Sequence, residues 1–228
     1  MSVALITGGS AGLGRALVAA LVARDWTVIT DARGAGRLAE LREQVGPRVV
    51  TVPGDIADPA HRRTLIDQVE AHGALDLLVH NASTLGPVPL RPLRELSESD
   101  LARTWTVNAG APAELSRVLL PWLKSAGGAV ISLSSDAAVE HYPTWGAYAA
   151  SKAALDHLTL TMGAEEGLDT YAIDPGDLRT EMHQAAFPGE DISDRPLPQT
   201  VAPAFLEIIR RRPPSGRYRA AEFAPLEV

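Results

Sequence analysis

Tyr148 and Lys152 stand four residues apart, a spacing that places two side chains on the same face of a helix. A lysine ammonium beside a phenol favours the charged tyrosinate, so we expect Lys152 to lower the pKa of Tyr148 from its ordinary value of about 10. A phenol shifted in this way can exchange protons near neutral pH. Such pairs also arise by chance on helix surfaces, so a catalytic interpretation needs support from other residues.

A glycine-rich segment, Thr7 to Gly14, lies near the N-terminus between an apolar run and an amphipathic run, where a strand would turn into a helix. Glycines at 8, 12 and 14 let the backbone approach a pyrophosphate, and the N-terminus of the following helix would stabilise its charge. An ordinary strand-to-helix turn is the alternative. Because the segment is N-terminal and a helix follows it, we favour a dinucleotide site. Together with Tyr148 and Lys152, it indicates a dinucleotide-dependent oxidoreductase.

Length and composition exclude several classes of function. With 228 residues, 46% of them hydrophobic, the chain can bury one full core, and we interpret residues 1–228 as a single domain. A formal net charge of -7 gives no general attraction to nucleic-acid phosphates. Cysteine is absent, which excludes disulfides and thiolate catalysis. The first apolar run, residues 3–6, is too short for a signal peptide or a membrane span. We therefore expect a cytoplasmic protein that binds neither nucleic acid nor membranes.

Short apolar runs alternate with longer amphipathic runs along most of the chain. The predicted strands are Val3 to Thr7, Thr27 to Thr30, Val49 to Val52, Leu75 to Val79, Ala129 to Leu133 and Thr170 to Ile173. The predicted helices are Leu13 to Ala23, Arg37 to Val45, Ala60 to His72, Asp100 to Leu123 and Tyr148 to Ala164. This alternation predicts an α/β fold of the Rossmann type, with a doubly wound parallel sheet and helices on both faces.

The region after the last predicted strand is less regular. Prolines at 188, 196, 198 and 203 are expected to interrupt any helix from Phe187 to Pro203, and the charged residues among them favour exposure. We expect a substrate loop or lid at about 177–203, with the apolar run Phe205 to Ile209 returning to the core.

The end of the second predicted strand, Thr30 to Arg33, should reach the adenosine ribose of a dinucleotide. An acidic residue there would accept hydrogen bonds from a free 2′-hydroxyl, whereas an arginine would pair with a 2′-phosphate. Asp31 and Arg33 point to opposite cofactors. Both would project to the same face of an extended strand, so alternation does not decide between them.

With these residues in place, the chain resembles the short-chain dehydrogenase/reductase (SDR) family over nearly its whole length. The family pattern Thr-Gly-x-x-x-Gly-x-Gly corresponds to Thr7 to Gly14. Further family segments correspond to Asp55-Ile56, His80-Asn81-Ala82-Ser83, Asn108, Ser135 and Asp174-Pro175-Gly176. Ser135 is selected over Ser134 because it precedes Tyr148 by thirteen residues, close to the family spacing. Ser83 and His80 depart from the glycine and asparagine usual in their segment.

The resemblance implies an enzyme that interconverts a carbonyl and an alcohol by hydride transfer. Tyr148 would act as general acid or base, and Ser135 would steady the substrate oxygen. Lys152 would hold the nicotinamide ribose and lower the pKa of Tyr148. Asn108 would anchor a water that connects Lys152 to solvent. The residues implied to contact the cofactor are Gly8, Ser10, Gly12, Leu13, Gly14, Arg33, Asp55, Ile56, Asn81, Ala82, Tyr148, Lys152, Pro175, Gly176 and Thr180.

The resemblance also bears on which cofactor is used. Family members that prefer NADP often carry an arginine at the position of Arg33, whereas members that prefer NAD carry an aspartate at the position of Ala32. We therefore expect NADP(H), with NAD(H) as the alternative. Ala11 does not supply the second basic residue that many NADP-dependent members place in the glycine loop.

The expected partner is a small carbonyl or alcohol substrate. The residues expected near it are His141, Tyr142 and Trp145, with Met182, His183 and Phe187 on the loop that would close over it. We expect no metal site, because the histidines lack ligand spacing. A homodimer or homotetramer is expected, although the stretch between Lys152 and Pro175 is a few residues short in the helix that many members use to dimerise. A non-catalytic dinucleotide-binding redox sensor is the alternative function, and the presence of both Tyr148 and Lys152 favours the enzyme.

Overall fold

The computed structural model describes residues 2–223, so the end of the chain from 224 lies outside the described residues. Seven parallel strands form one sheet in the order β3-β2-β1-β4-β5-β6-β7. The strands are Val3–Ile6 (β1), Thr27–Ala32 (β2), Val49–Pro53 (β3), Leu77–His80 (β4), Ala129–Leu133 (β5), Asp169–Asp174 (β6) and Gly216–Arg219 (β7). The parallel order with helical crossovers confirms the predicted Rossmann-type α/β fold.

Helices cover both faces of the sheet. They are Gly12–Val22 (α1), Ala35–Val45 (α2), Pro59–His72 (α3), Glu98–Trp105 (α4), Ala111–Ala126 (α5), Gly146–Glu166 (α6), Glu181–Ala186 (α7) and Pro198–Arg211 (α8). Because neighbouring strand residues point to opposite faces, Ile6 joins a core with α1 and α8, whereas Leu5 joins a second core with α3 and α5. Within residues 2–223, no helix has both the length and the apolar character that crossing a membrane requires.

The prediction that prolines exclude a helix from Phe187 to Pro203 is wrong, because α8 begins at Pro198 and contains Pro203. Pro198 occupies the first turn, where a backbone N–H has no partner within the helix. Pro203 removes one interior hydrogen bond, but its neighbours Ala202 and Phe205 bury an apolar stripe against the core that includes α1. Burial of this stripe outweighs the local preference of one proline.

The single helix expected from Asp100 to Leu123 is divided. A π-helical turn, Thr106–Gly110, separates α4 from α5 and carries Asn108. Such turns insert an extra residue into a helix and often lie at functional sites. The strand β7 was not predicted, because Gly216–Arg219 has no apolar run and is recognised as a strand only by its pairing with β6.

The sheet brings distant segments to one edge. The strand order reverses between β1 and β4, so the glycine loop after β1 faces the loop after β4 at this point. In open α/β sheets such a reversal leaves a crevice at the carboxyl ends of the strands, where ligands bind. The predicted site residues lie in the loops after β1, β2, β3, β4, β5 and β6, on the π-helical turn and at the start of α6, and these loops open onto that edge.

Candidate active site

An open cleft of about 1250 Å³ lies at the carboxyl edge of the sheet. One end is lined by the glycine loop and by the loops after β2 and β3, and the other by the loop after β5, the start of α6 and the segment around α7. Tyr148, Lys152 and Ser135 line the cleft between these two ends. The cleft therefore extends without interruption from the glycine loop to the predicted reacting residues.

Tyr148 lies near the start of α6 and is 8% exposed. Burial is the largest influence on its hydroxyl and raises its pKa far above the ordinary value, while a hydrogen bond with Ser135 lowers it and the carboxylates of Asp136, Asp174 and Asp156 raise it further. The expectation that Lys152 lowers the pKa of Tyr148 is wrong. Loss of hydration on burial raises this pKa by more than the hydrogen bond with Ser135 lowers it. In this environment Tyr148 is a protonated phenol, which is the form that donates a proton.

Lys152 is buried one helical turn further along α6. It is 2% exposed, its Nζ donates to the carbonyl oxygen of Leu133 at 2.7 Å, and the same atom lies 5.6 Å from the centre of the Tyr148 ring. Burial lowers the pKa of Lys152 to about 8, against an opposing influence of the Asp156 carboxylate. Lys152 can therefore change its protonation within a range accessible to catalysis.

Ser135 and its neighbour Ser134 face different surroundings. Ser135 lies in the cleft, and its hydroxyl donates to Asp136 Oδ1 at 2.9 Å and interacts with Tyr148. The Ser134 hydroxyl instead donates to Asp156 Oδ2 at 2.7 Å in the protein interior. The structure thus brings Ser135, and not the hydroxyl of Ser134, next to the Tyr148 hydroxyl.

Asn108 lies on the π-helical turn and is 1% exposed. Its amide nitrogen donates to the Ser151 hydroxyl at 2.9 Å and to the Thr84 carbonyl at 2.8 Å. Its amide oxygen accepts from the Ser83 hydroxyl and from the Thr84 backbone N–H. The Asn108 side chain therefore fastens the loop after β4 to α6 directly behind Tyr148. Ser83, which departs from the family glycine, adds one of these bonds.

The glycine loop has the form expected of a phosphate cradle. Gly8 and Gly12 have φ angles of +72° and +53°, which favour glycine. A Cβ on Gly14 would lie 2.4 Å from Asn81 Nδ2 and 2.5 Å from the Gly8 carbonyl oxygen, so a side chain does not fit. No side chain caps the N-terminus of α1, because Ala11 occupies the cap position. The glycine backbone of the loop and the uncapped first turn of α1 fit a pyrophosphate.

Asp31 is not available to a ribose hydroxyl. It is 1% exposed; its Oδ1 accepts from the Gly8 N–H at 2.8 Å, and its Oδ2 is 2.9 Å from His61 Nε2. This carboxylate fixes the glycine loop to the end of β2. Arg33, two residues later, is exposed on the cleft wall. Of these two residues, Arg33 is therefore the one whose charged group is available to contact a ribose in the cleft.

The other predicted cofactor residues border the cleft, except Gly14, which lies beneath the loop against Asn81. Asn81 donates through Nδ2 to the carbonyl oxygens of Thr7 and Gly8 at 2.8 and 3.0 Å, so its side chain holds the loop. Asp55 pairs with Arg103 at 2.6 Å. The remaining predicted residues that line the cleft are Ser10, Leu13, Ile56, Ala82, Pro175, Gly176 and Thr180.

The far end of the cleft is aromatic. Trp145 lies 5.6 Å from Tyr148 and 5.8 Å from Phe187 between ring centres, and Phe187 lies 4.9 Å from His183. Tyr142 and Met182 also line this end, whereas His141 is exposed and does not. The structure therefore brings together five of the six residues expected near a substrate.

A family model described as short chain dehydrogenase matches residues 2–191. The chain belongs to the short-chain dehydrogenase family. This dehydrogenase is similar to an uncharacterized oxidoreductase of Saccharomyces cerevisiae, with 35% identity over 184 residues that cover 79% of this chain and 72% of the relative. It is also similar to a benzil reductase ((S)-benzoin forming) of the same yeast, with 34% identity over 217 residues that cover 90% of this chain and 80% of the relative.

Solved structures give the same result for the fold. A Saccharomyces cerevisiae short-chain dehydrogenase/reductase superposes with a TM-score of 0.88 at 28% identity, covering 99% of this chain and 100% of that one. A Shigella flexneri short-chain dehydrogenase, solved in complex with NADP, superposes with a TM-score of 0.87 at 27% identity, covering 96% of this chain and 97% of that one. The predicted family is confirmed, and this dehydrogenase is an oxidoreductase of that family.

Two charged residues of the site were not predicted. Asp136 follows Ser135 and accepts hydrogen bonds from the hydroxyls of Ser135 and Tyr142, both at 2.9 Å. Arg217 on β7 donates to the Ser135 carbonyl at 2.8 Å. Adjacency to Ser135 was the available signal for Asp136. Arg217 had no such signal, because it is 82 residues from Ser135 and lies in a segment without a recognisable motif.

The lowered pKa of Lys152 gives a testable effect on stability. Between pH about 8 and the ordinary lysine pKa of 10.5, the unfolded chain binds more protons at this residue than the folded chain does. The free energy of unfolding, taken relative to a Lys152→Met variant, should therefore rise with pH across that window. Denaturant unfolding at a series of pH values measures this difference. A difference that stays constant or falls from pH 8 to 10 would contradict the lowered pKa.

Proposed function

We propose that this short-chain dehydrogenase reduces a carbonyl compound with NADPH, or oxidises the corresponding alcohol with NADP, using Tyr148 as general acid or base. The observation that carries this proposal is the buried arrangement of Tyr148, Ser135 and Lys152 in the cleft that also contains the glycine loop. When bound, the dinucleotide supplies or accepts the hydride and, in its oxidised form, adds positive charge near Tyr148.

The roles of the protein's residues follow from their surroundings. Tyr148, kept protonated by burial, would donate a proton to the carbonyl oxygen during reduction. Ser135 would hold that oxygen through its hydroxyl, since it already lies next to the Tyr148 hydroxyl. Lys152 would place a cation beside the Tyr148 ring and would contact the nicotinamide ribose. Asn108 would fix the position of α6 through its bond to Ser151 and would anchor a water that connects Lys152 to solvent.

The aromatic end of the cleft supports an apolar, aryl-bearing ketone as substrate. Trp145 and Phe187 offer ring faces and edges, and aromatic side chains bind such groups through large buried area and offset or edge contacts. The similar yeast protein named as a benzil reductase supports the same class. Benzil is therefore the first compound of the panel, followed by simpler aryl and alkyl ketones and aldehydes. The segment around 177–203, which carries α7, is proposed to cover this end.

Replacement of the phenol tests the catalytic role. Tyr148→Phe should lower kcat for ketone reduction by about 100-fold or more, since general acid catalysis contributes roughly 10²–10⁴-fold. The variant should bind NADPH like the original chain. NADPH oxidation followed at 340 nm and calorimetric titration measure the two quantities.

Tyr218→Phe is a matched control, because Tyr218 on β7 does not line the cleft and its hydroxyl donates to the Pro214 carbonyl. It should retain full turnover. Unchanged activity in Tyr148→Phe would defeat the assignment. Tight NADPH binding without turnover of any ketone, together with a protein that co-purifies, would instead favour the redox-sensor alternative.

Arg33 is proposed to select NADPH over NADH. It is exposed on the cleft wall, Ala32 before it carries no carboxylate, and Asp31 is already bonded.

Arg33→Ala should raise KM for NADPH by about tenfold or more, because a hydrogen bond to a charged group contributes about 1.5–3 kcal/mol. The KM for NADH should change little. Arg42→Ala, on the exposed side of α2, is the control with the same loss of charge. Equal changes for both cofactors would show that Arg33 does not read the 2′-phosphate.

The sequence led us to expect a homodimer or a homotetramer, and we propose that the chain forms the homodimer. A shallow apolar groove of about 410 Å³ runs between α4 and α6, and Leu101 and Trp105 on its rim are 41% and 49% exposed. A second copy of the same groove would cover these side chains. Sedimentation should give a mass near twice that of one chain, and Trp105→Glu should shift it to the monomer. A monomeric original chain at micromolar concentration would refute the dimer.

A further inference from the structure

Arg217 lies on β7, behind the reacting side chains. Its Nη2 donates to the Ser135 carbonyl oxygen at 2.8 Å and lies 3.7 Å from Asp174 Oδ2, and its Nε lies 3.2 Å from Asp156 Oδ2. The side chain is 26% exposed. One guanidinium thus links the backbone of the loop after β5 with a carboxylate of α6 and another at the end of β6.

The two carboxylates need this cation. Asp156 and Asp174 are 7% and 6% exposed, and a carboxylate removed from water is costly unless it is paired. Burial raises the pKa of Asp156, whereas the Ser134 hydroxyl and Arg217 lower it. Its Oδ1 is buried and makes no hydrogen bond within the part of the chain that the structure describes. Without Arg217, Asp156 would keep only one hydrogen-bond donor.

Both carboxylates also act on the reacting groups. Asp156 and Asp174 each raise the pKa of Tyr148, and Asp156 raises the pKa of Lys152, one turn away on α6. Asp136 also raises the pKa of Tyr148, and the hydrogen bond with the Ser135 hydroxyl lowers it. His80 on β4 also lies near this group: its burial and the charge of Lys152 lower its pKa to about 3. A cation close to Asp156 and Asp174 reduces the negative potential at Tyr148.

The attachment of β7 to the sheet does not depend on the Arg217 side chain. The strand pairs with β6 through its backbone from Gly216 to Arg219. The Ser215 hydroxyl accepts from the Thr170 N–H at 3.0 Å, and the Tyr171 hydroxyl donates to the Pro213 carbonyl at 3.0 Å. The three contacts of the guanidinium are therefore additional to those that hold the strand, and all three are directed to the active site.

We propose that Arg217 is a positioning residue of the active site, which fixes the Ser135 backbone and neutralises Asp156 and Asp174 beside Lys152 and Tyr148. This inference rests on the proposed function, because it assigns Arg217 to the proton transfer made by Tyr148. Arg217 acts only through its neighbours and touches neither substrate nor cofactor in this assignment.

The main test is the pH dependence of alcohol oxidation in Arg217→Gln. Removal of a cation raises the pKa of nearby groups, so the tyrosinate form of Tyr148 becomes available only at higher pH. The pH of half-maximal kcat should rise by about 0.5–1 unit, since a nearby charge shifts a pKa by roughly this amount or more. The value of kcat at neutral pH should fall about three- to tenfold, the change that corresponds to a shift of 0.5–1 pH unit. The dissociation constant for NADPH should stay within about twofold, as no contact to the cleft's cofactor end is lost.

Two variants separate charge from structural support. Arg212→Gln removes another partly exposed arginine, which pairs with Asp169 at 3.0 Å at the opposite end of β6, and should leave the pH profile unchanged. The double variant Arg217→Gln/Asp156→Asn removes one negative charge along with the positive one and should return the profile towards that of the original chain. It loses more hydrogen bonds than the single variant, so a purely structural role would predict no such return.

A direct titration gives a readout that does not depend on turnover. The ¹⁵N signal of the Lys152 amine should titrate near pH 8 in the original chain and at higher pH in Arg217→Gln, because a repelling cation has been removed. If Arg217→Gln does not fold, Arg217→Lys replaces it, and this variant should keep the pH profile but lose part of kcat, since one ammonium does not span three acceptors.

The outcomes distinguish the two proposals. An unchanged pH profile and an unchanged Lys152 titration in Arg217→Gln would overturn the role of Arg217, even with Tyr148-dependent turnover intact. Absence of Tyr148-dependent turnover in the original chain would overturn the proposed function, while the Lys152 titration would still test whether Arg217 sets the charge at the site.

Discussion

The burial of one amine, that of Lys152, constrains the rest of the site. A lysine removed from water must have a fixed acceptor, and here the acceptor is the Leu133 carbonyl at the end of β5. This bond ties α6 to the centre of the sheet and sets the height of Tyr148 above it. The cost of burial appears as a pKa lowered to about 8, which leaves the amine able to gain or lose a proton. Tyr148, buried by the same packing, has its pKa raised. The pair is therefore a neutral phenol next to an amine whose pKa is about 8. The pKa values of both groups depend on the charges that surround them.

Side chains that resemble ligands in the sequence hold the loops of the cleft in place. Asp31 binds the Gly8 N–H, Asn81 binds two carbonyls of the glycine loop, and Asn108 binds the loop after β4 to Ser151 of α6. Each satisfies backbone groups that would otherwise be exposed in the cleft. A loop that binds a dinucleotide through backbone N–H groups needs such supports, because the N–H groups alone do not fix the conformation of the loop. Arg33, which is exposed on the cleft wall, is the residue that we propose selects the cofactor.

A cluster of four charged side chains lies behind the cleft. Four acidic or basic groups, Asp156, Asp174, Lys152 and Arg217, come from α6, β6 and β7 and meet around the loop that carries Ser135. Their arrangement links the last strand of the sheet to the reacting residues. Through β7, at the sheet edge, the Arg217 guanidinium reaches the Ser135 carbonyl.

The amino-acid sequence alone determined the fold class, the family and most of the predicted residues that line the cleft, because these depend on local patterns: a glycine loop between a strand and a helix, the alternation of apolar and amphipathic runs, and the spacing of Tyr148 and Lys152. It missed Asp136 and Arg217, and it included Gly14, Asn108 and His141, which do not line the cleft. The tertiary structure alone decided the start of α8 at Pro198, the π-helical turn at Asn108, the strand β7, and the engagement of Asp31. It also decided the sign of the pKa shift of Tyr148. Each of these results from burial or from contacts between residues distant in the chain. A side chain's position in the sequence fixes its chemistry, whereas its hydration and its charged neighbours are fixed only when the segments pack together.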